Sequence, residues 1–358
     1  MPNRRPPPET HRRDLWNLRM TQGSTSLARD LGLTNTPPET LRIAFAPVTD
    51  DAAGIAQAEA YTRQLTNSHY ENFSVVSRLL PAELRQDFCN VYAFCRVADD
   101  LGDEAGDRNR ALELLGGFKR QTRDMFGLEA APGAPAAVRT AVFVALRQTV
   151  LRHQIPAQPF LDLIDAFEQD QRVTRYETFE QVVDYCRRSA DPVGRLVLYM
   201  CGYRDPERQG LSDRTCTALQ LTNFWQDVRR DILERDRIYL PRDSMARFGV
   251  TEEQLRQGRC DENFRRLLEF EVARTEKLFA QGAALLPLVD RRYRGQIALF
   301  GRGGRAILQA IRAQGYDTLT RRPKLGRWQK LRLVLVVLAG RIWSGPRRAA
   351  ASAGSVGN

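Results

Sequence analysis

Apolar residues between positions 52 and about 320 recur mostly at three- and four-residue spacing, whereas the alternation typical of strands is scarce. Such spacing places apolar side chains along one face of an α-helix, and clusters of Pro or Gly separate successive helices. One predicted helix has an apolar stripe over residues 82–98, and another spans residues 212–233. The pattern predicts an all-α fold, built as a single helical bundle with a central cavity.

The two ends of the chain differ in composition from this helical part. Residues 1–50 are rich in Pro and Arg and are predicted to be a flexible extension, with a later start at Met20 as an alternative. Residues 51–320 are predicted to be the catalytic domain, and residues 129–137, rich in Ala, Pro and Gly, an interhelical loop. We expect no signal peptide and no membrane-spanning helix, because the longest apolar runs are too short for either.

Positive charge concentrates in the predicted basic amphipathic tail, residues 321–358. Its segment 321–348 has nine Lys/Arg and no acid, and setting those nine aside lowers the formal net charge from +11 to +2. This distribution disfavours a nucleic-acid partner, although a helical protein that binds nucleic acid or membrane without catalysis stays a distant alternative. Trp328 and Trp343 bracket a short apolar segment, which predicts peripheral membrane contact. The alternative is that this segment completes the bundle core.

The cysteines and histidines do not form a recognisable metal-binding pattern. None of the six cysteines lies in a CxxC pair, and the three histidines are scattered. We therefore expect reduced cysteines packed in the core, no structural zinc and a cytoplasmic protein, with peripheral attachment to the cytoplasmic membrane left open.

The first acidic cluster lies in the run RVADDLGDE. Asp99 and Asp103 are four residues apart and share one helix face, with Asp100 beside them and Glu104 following. Because like charges this close repel each other, a bound cation would stabilise the arrangement. Carboxylate oxygens favour Mg²⁺ or Mn²⁺ over zinc.

The second cluster lies in LTNFWQDVRRDILERDRIYLP. Asn223, Asp227 and Asp231 recur every four residues, which aligns three oxygen ligands along one helix face. Either cluster alone is also consistent with a solvated acidic face paired with nearby arginines. Two such helices facing one cavity would instead bind divalent cations on both sides of a diphosphate, with Arg96 and Arg237 contacting its oxygens directly.

These segments resemble the squalene and phytoene synthases from about Asn67 to Pro323. The two signatures are YAFCRVADDLGDE and LTNFWQDVRRDILERDRIYLP, supported by LIDAFEQDQRVTRYETFEQVVDYC, DPVGRLVLYMCG and IRAQGYDTLTRRPKL. The resemblance implies an isoprenoid synthase fold, a prenyl diphosphate substrate and Mg²⁺ ions, about three of them. It implies metal ligation by Asp99, Asp103, Asn223, Asp227 and Asp231, with Asp100 as their partner. It also implies diphosphate contacts from Arg96 and Arg237, a cavity lined by Tyr92 and Gln220, and a close helix approach to substrate at Gly194.

Two departures from the family pattern favour one branch. Many members have Ser-x-Ser-Phe where this chain has Tyr70-Glu71-Asn72-Phe73, and an Arg where it has Gln226. Fewer hydroxyls and one fewer cation fit a substrate with a single diphosphate. The chain is most similar to the hydroxysqualene synthases of hopanoid biosynthesis, which act on presqualene diphosphate without NADPH.

The predicted reaction is ionisation of presqualene diphosphate, rearrangement and water capture to give hydroxysqualene. We assign the substrate-binding set to His69, Tyr70, Asn72, Phe73, Tyr92, Arg96, Gly194, Gln220 and Arg237. Among these, His69 and Asn72, with Glu71, are candidates to orient the captured water. The alternative is head-to-head condensation of two prenyl diphosphates to presqualene diphosphate, squalene or phytoene, and partner enzymes of the same pathway are expected.

Overall fold

The computed structural model describes residues 47–68, 81–103, 105–128 and 140–326. The helices in these ranges are α1 (Ala52–Ser68), α2 (Arg85–Asp103), α3 (Arg108–Met125), α4 (Ala141–His153), α5 (Gln158–Asp170), α6 (Phe179–Ser189), α7 (Asp191–Met200), α8 (Pro206–Arg235), α9 (Arg242–Phe248), α10 (Glu252–Gln257), α11 (Glu262–Gly282), α12 (Leu285–Leu288) and α13 (Arg291–Ala313). A short 3₁₀ turn, Ala82–Leu84, precedes α2. Within these ranges, extended pairing is limited to two isolated bridges, so the predicted all-α fold is confirmed.

Several helices begin at a side chain that accepts hydrogen bonds from the first-turn amides. Asp205 Oδ1 accepts from the amide of Arg208 at 2.9 Å, and Pro206 occupies the first turn of α8. Asp107, Thr178, Thr251, Asp261 and Asp290 begin α3, α6, α10, α11 and α13 in the same way. Such caps satisfy amides that have no partner inside the helix, which fixes where each helix starts.

The apolar side chains form two main clusters. The first joins α1, α2, α3, α4 and α5, and in it the ring of Phe94 lies 4.9 Å from that of Phe118 and 5.0 Å from that of Phe160. The second joins α6, α8, α11 and α13 around Trp225, whose indole donates to Thr275 Oγ1 at 2.8 Å. Helices α2 and α8 therefore belong to different clusters, and each presents its polar face at the boundary between them.

A left-handed residue reverses the chain after α8. Asp236 has a φ of 51°, and the amide of Arg237 then donates to the carbonyl oxygen of Asp231 at 3.0 Å. The amide of Ile238 donates to the carbonyl oxygen of Thr174 at 2.9 Å, which fastens this segment beside the end of α5. The turn thus brings Arg237 back toward both acidic helices.

The structure also bears on the expectations for the cysteines, for membrane-spanning helices and for the ends of the chain. All six cysteines are free, but only Cys186 is buried and the other five are partly exposed. None of the helices in the described ranges is both long enough and apolar enough to cross a bilayer. The predicted extension up to residue 46, the loop 129–137 and the tail from residue 327 onward lie outside the described residues.

Candidate active site

The first acidic motif occupies the last two turns of α2. Asp99 and Asp103 point to the same side, as predicted, whereas the Asp100 side chain is only 1% exposed and turns into the interior. Arg96 pairs with Asp100 and lies 3.3 Å from Asp99, measured from Nη1 to Oδ2. Burial, followed by repulsion from Asp103, raises the pKa of Asp99 to about 6, and Arg96 opposes this shift. The buried carboxylate of Asp100 therefore holds the guanidinium of Arg96 in place from the interior.

The second motif follows one face of α8. Asn223 is exposed, while Asp227 and Asp231 are partly buried at the edge of an apolar face that includes Phe224, Val228 and Ile232. Burial, with the adjacent charge of Asp227, raises the pKa of Asp231 to about 7. The carboxylates thus border the core.

Arginines connect the two motifs. Arg235 Nη2 at the end of α8 lies 2.6 Å from Asp103 Oδ2 at the end of α2. Arg237 Nη2 lies 3.9 Å from Asp103 Oδ1. The ends of the two motifs therefore lie close together, and the gap between them is spanned by charged side chains.

A buried acid behind this gap holds Arg237. Asp170 at the end of α5 is 9% exposed; its Oδ2 lies 3.5 Å from Arg237 Nη1 and accepts from the hydroxyl of Tyr185 at 2.9 Å. Burial raises the pKa of Asp170 to about 6, against the opposing effect of Arg237. Burial alone would lower the pKa of Arg237, but Asp170 and Asp103 outweigh it and raise this pKa. Arg237 is thus a fixed cation at the base of the gap.

The segment after α13 covers the second motif. Arg322 makes a two-pronged contact with Asp227, in which Nη2 lies 3.0 Å from Oδ2 and Nε contacts Oδ1. Gln226 Nε2 donates to the carbonyl oxygen of Pro323 at 2.6 Å, and Arg229 Nη1 donates to that of Leu319 at 3.3 Å. Arg322 and Pro323, which the sequence placed in the tail, therefore lie against α8.

The remaining predicted residues take different positions. Tyr92 lies one turn before Arg96 on α2 and is partly buried, and burial raises its pKa. Gln220 is partly buried on α8, three residues before Asn223. His69, Tyr70, Asn72 and Phe73 lie outside the described residues.

Gly194 lies at a close helix crossing. A Cβ at this position would lie 2.4 Å from Ser212 Oγ and 2.5 Å from Cys216 Sγ, so glycine allows α7 to approach α8. The close approach in the structure is between α7 and α8, whereas the approach predicted from the sequence was to substrate. A contact of Gly194 with substrate stays a prediction.

The Gly194→Ala variant is expected to lose about 1–3 kcal/mol of unfolding free energy, because Ser212 and Cys216 must move to admit a methyl group. Urea denaturation measures this loss. Gly210→Ala on α8 is the matched control: nothing lies within 4 Å of its added Cβ, and alanine favours a helix by up to ~1 kcal/mol. If Gly194→Ala proves as stable as the wild type, the close packing is wrong.

Metal binding can be judged from the donors that are present. In the described ranges, no three acidic, histidine or cysteine side chains converge on one point. Mg²⁺, however, commonly binds one or two carboxylates and completes its shell with substrate phosphates and water. Burial, and after it repulsion from a neighbouring aspartate, raises the pKa values of Asp99 and Asp231, and a bound divalent cation would relieve that repulsion. The donor chemistry fits Mg²⁺, and magnesium binding stays a proposal.

Two cavities in the described part of the protein lie beside α6, and no residue of either acidic motif lines them. The first, of about 400 Å³, is lined in part by Asp191, Arg195, Asp213 and Thr217. The predicted central cavity would also involve residues 69–80, which lie outside the described residues.

Asp191 at the start of α7 is expected to make stability depend on pH. Burial, then the nearby Asp213, raises its pKa to about 7, although Thr217 donates a hydrogen bond to it. Because an unfolded aspartate titrates near ~3.9, folding takes up a proton between about pH 4 and 7, and stability falls as pH rises through this window. Asp191→Asn should flatten the pH dependence of the unfolding free energy, measured by urea denaturation at pH 5.5 and 8. Equal pH dependence in variant and wild type would contradict this assignment.

Comparison with known proteins identifies the family. The family model for squalene/phytoene synthase matches residues 66–329, a range that includes both acidic motifs and the segment around Arg322. The chain belongs to the squalene/phytoene synthase family. The resemblance predicted from the two motifs is thereby confirmed, and this excludes a non-enzymatic helical protein.

Relatives in the squalene/phytoene synthase family have more than one activity. The chain is 31% identical over 308 residues to a phytoene synthase of Arthrospira platensis, covering 81% of this chain and 96% of the relative. It is 30% identical over 283 residues to a hydroxysqualene synthase of Zymomonas mobilis, covering 76% and 89%. The crystal structure of squalene synthase HpnC from Alicyclobacillus acidocaldarius is 46% identical, with a TM-score of 0.67 over 75% of this chain and 98% of that one. The family acts on prenyl diphosphates, and this chain is an enzyme of isoprenoid biosynthesis.

For this squalene/phytoene synthase, sequence reasoning missed three residues around the motifs. Asp170 and Tyr185 lie in a segment that was noted only for its family resemblance, and Arg322 was assigned to the tail. Their positions depend on contacts between residues distant in the chain, such as the 95 positions that separate Arg322 from Asp227.

Proposed function

We propose that this squalene/phytoene synthase ionises presqualene diphosphate and captures the rearranged cation with water to give hydroxysqualene. The observation that supports this branch most directly is the position of Gln226, where many members have an arginine. Gln226 is buried and its amide donates to the carbonyl oxygen of Pro323. It therefore offers no charge to a diphosphate, and one of its two amide N–H donors is already used.

Several other cations near the motifs already have carboxylate partners. Arg96 pairs with Asp99 and Asp100, Arg235 with Asp103, and Arg322 with Asp227. Presqualene diphosphate has one diphosphate group, whereas two farnesyl diphosphates have two between them. A site with little unpaired positive charge suits the single diphosphate group better. The 30% identical hydroxysqualene synthase is consistent with this choice.

The proposed reaction needs no reductant. The C–O bond to the diphosphate breaks and its electron pair leaves with the diphosphate, which produces a cyclopropylcarbinyl cation. Ring opening gives an allylic cation, water forms the new C–O bond, and the water loses one proton. Carbon, oxygen and charge therefore balance without NADPH.

The residues of the chain would bind the diphosphate and hold it in place. Asp170 fixes Arg237 beside Asp103, and Asp100 fixes Arg96, so both guanidinium groups are oriented before substrate arrives. Asp99, Asp103, Asn223, Asp227 and Asp231 would hold Mg²⁺. When bound, Mg²⁺ would neutralise the diphosphate and weaken the breaking C–O bond. Tyr92 and Gln220 would contact the isoprenoid chain, and His69 and Asn72 would orient water.

The test is product analysis with alternative substrates. Purified enzyme is incubated with Mg²⁺ and presqualene, farnesyl or geranylgeranyl diphosphate, without NADPH, and extracted lipids are identified by mass spectrometry. We expect hydroxysqualene from presqualene diphosphate and no product after chelation of Mg²⁺. Presqualene diphosphate or a C30 hydrocarbon from farnesyl diphosphate, or phytoene from geranylgeranyl diphosphate, would support head-to-head condensation, which the 31% identical phytoene synthase keeps as second candidate.

We also propose that the basic tail binds the cytoplasmic surface of an anionic membrane. The proposal rests on the arginines and tryptophans of residues 327–348, since cations near an anionic surface contribute up to ~1 kcal/mol each. Deleting residues 325–358 should abolish flotation with vesicles containing phosphatidylglycerol, while Arg322 and its contact with Asp227 remain. Undiminished flotation of the shortened chain would exclude the tail as anchor.

A further inference from the structure

The segment after α13, residues 317–323, is held on the second motif by three contacts from α8 and is called the strap below. Gln226 donates to Pro323, Arg229 donates to Leu319, and Asp227 accepts from Arg322. Within the strap, Asp317 Oδ1 accepts from the amide of Thr320 at 3.0 Å, which gives this irregular segment a defined turn. The strap thus has a fixed position over the acidic face of α8.

Arg322 uses both oxygens of a proposed metal ligand. The guanidinium meets the Asp227 carboxylate with Nε on Oδ1 and Nη2 on Oδ2, and a fork of this kind is the strongest form of the pair. Asp231 lies one helical turn from Asp227, and Arg322 interacts electrostatically with both, so Arg322 offsets part of the like-charge repulsion in the second motif. A guanidinium and a divalent cation would therefore offset the same excess of negative charge.

Gln226 determines where this arginine lies. Its side chain is buried in α8 beside Asp227, and its 2.6 Å hydrogen bond ends on the residue directly after Arg322. An arginine at position 226 would put a cation on α8 itself, whereas glutamine leaves room for the strap and holds it. The chain thus supplies a cation next to Asp227 from a different part of the fold.

We propose that Arg322 competes with divalent metal for Asp227, that Gln226 is the positioning residue for this competition, and that metal binding releases the strap. The inference rests on the proposed function in one respect, since it takes Asp227 to be a metal ligand. Binding of the metal at Asp227 and mobility of residues 317–323 are then linked, so each changes when the other is altered.

The test measures Mn²⁺ binding to the full chain without substrate, from free Mn²⁺ in electron paramagnetic resonance. Arg322→Gln should tighten Mn²⁺ binding roughly two- to fivefold, the range of one partly exposed ion pair. Gln226→Met, which keeps the volume and removes the hydrogen bond, should shift affinity in the same direction by less. Arg321→Gln is the matched control, because the side chain of Arg321 donates to Gln314, and the Mn²⁺ affinity of this variant should equal that of wild type.

Hydrogen exchange of the strap is a second measurement. It would not respond to metal if Arg322 and Gln226 had only a structural role. Mn²⁺ should speed exchange in residues 317–323 of the wild type while α13 stays protected, and in Arg322→Gln the strap should exchange quickly with or without metal. Folding of each variant is checked by circular dichroism and urea denaturation.

The variant Asp227→Asn distinguishes failure of the proposed competition from failure of the proposed metal site. If Asp227→Asn weakens Mn²⁺ binding but Arg322→Gln binds like wild type or more weakly, the competition is wrong and the metal site stands. If Asp227→Asn binds Mn²⁺ as well as wild type, Asp227 is not a ligand, and both the metal assignment and the strap mechanism are overturned.

Discussion

Asp231→Asn should lower kcat/KM for the prenyl diphosphate substrate by roughly 10²–10³-fold, the range seen when one group that stabilises developing charge is removed. Asp231 lies one helical turn before Arg235, which contacts Asp103, and its carboxylate is partly buried. Because asparagine keeps the shape and loses the charge, the variant should fold normally. Release of inorganic diphosphate at saturating Mg²⁺ measures the effect.

Glu234→Gln is the matched control for Asp231→Asn. Glu234 is on the same helix but exposed, and it pairs with Arg230. We expect its kcat/KM to stay within about twofold of wild type, because exposed pairs contribute ~0.2–1 kcal/mol at most. Near-normal turnover by Asp231→Asn would contradict the assignment of the second motif to the catalytic site.

Asp170→Asn should lower the unfolding free energy by about 3 kcal/mol at pH 8, because it leaves the guanidinium of Arg237 buried without its main partner. Asp103, 3.9 Å away, compensates only in part. Urea denaturation at pH 8, where the carboxyl group of Asp170 is ionised, measures this loss.

The double variant Asp170→Leu, Arg237→Met tests whether the loss comes from an unpaired charge. It removes both ions while keeping apolar volume, so it should be more stable than Asp170→Asn alone. It should also turn over substrate poorly, because Arg237 is proposed to contact the diphosphate. If Asp170→Asn is as stable as the wild type at pH 8, the buried pair is not a structural contact.

Sequence periodicity predicted the helical framework because each helix buries one face. The predicted helix 212–233 corresponds to α8, which runs from Pro206 to Arg235. Its first turns were missed because they have little apolar periodicity and are set by the cap at Asp205. The position of Asp99 and Asp103 on the same face of α2 follows directly from their four-residue spacing.

Contacts between distant segments were not predictable in this way. Spacing placed Asp100 beside Asp99, but the tilt of α2 against its core decides that Asp100 is buried and binds Arg96. Asp170 meets Arg237 only because residues 174 and 238 are hydrogen-bonded across the fold. Arg322 looked like part of a basic tail because its partner lies 95 positions earlier.

The division of the apolar interior into two clusters has a consequence for how such an enzyme can diverge. Asp99 and Asp103 are supported by one cluster, and Asp227 and Asp231 by the other. The width of the gap between the two carboxylate rows is therefore set by how the two halves of the molecule meet. A core substitution in either half would therefore widen or narrow that gap while every charged residue stays unchanged.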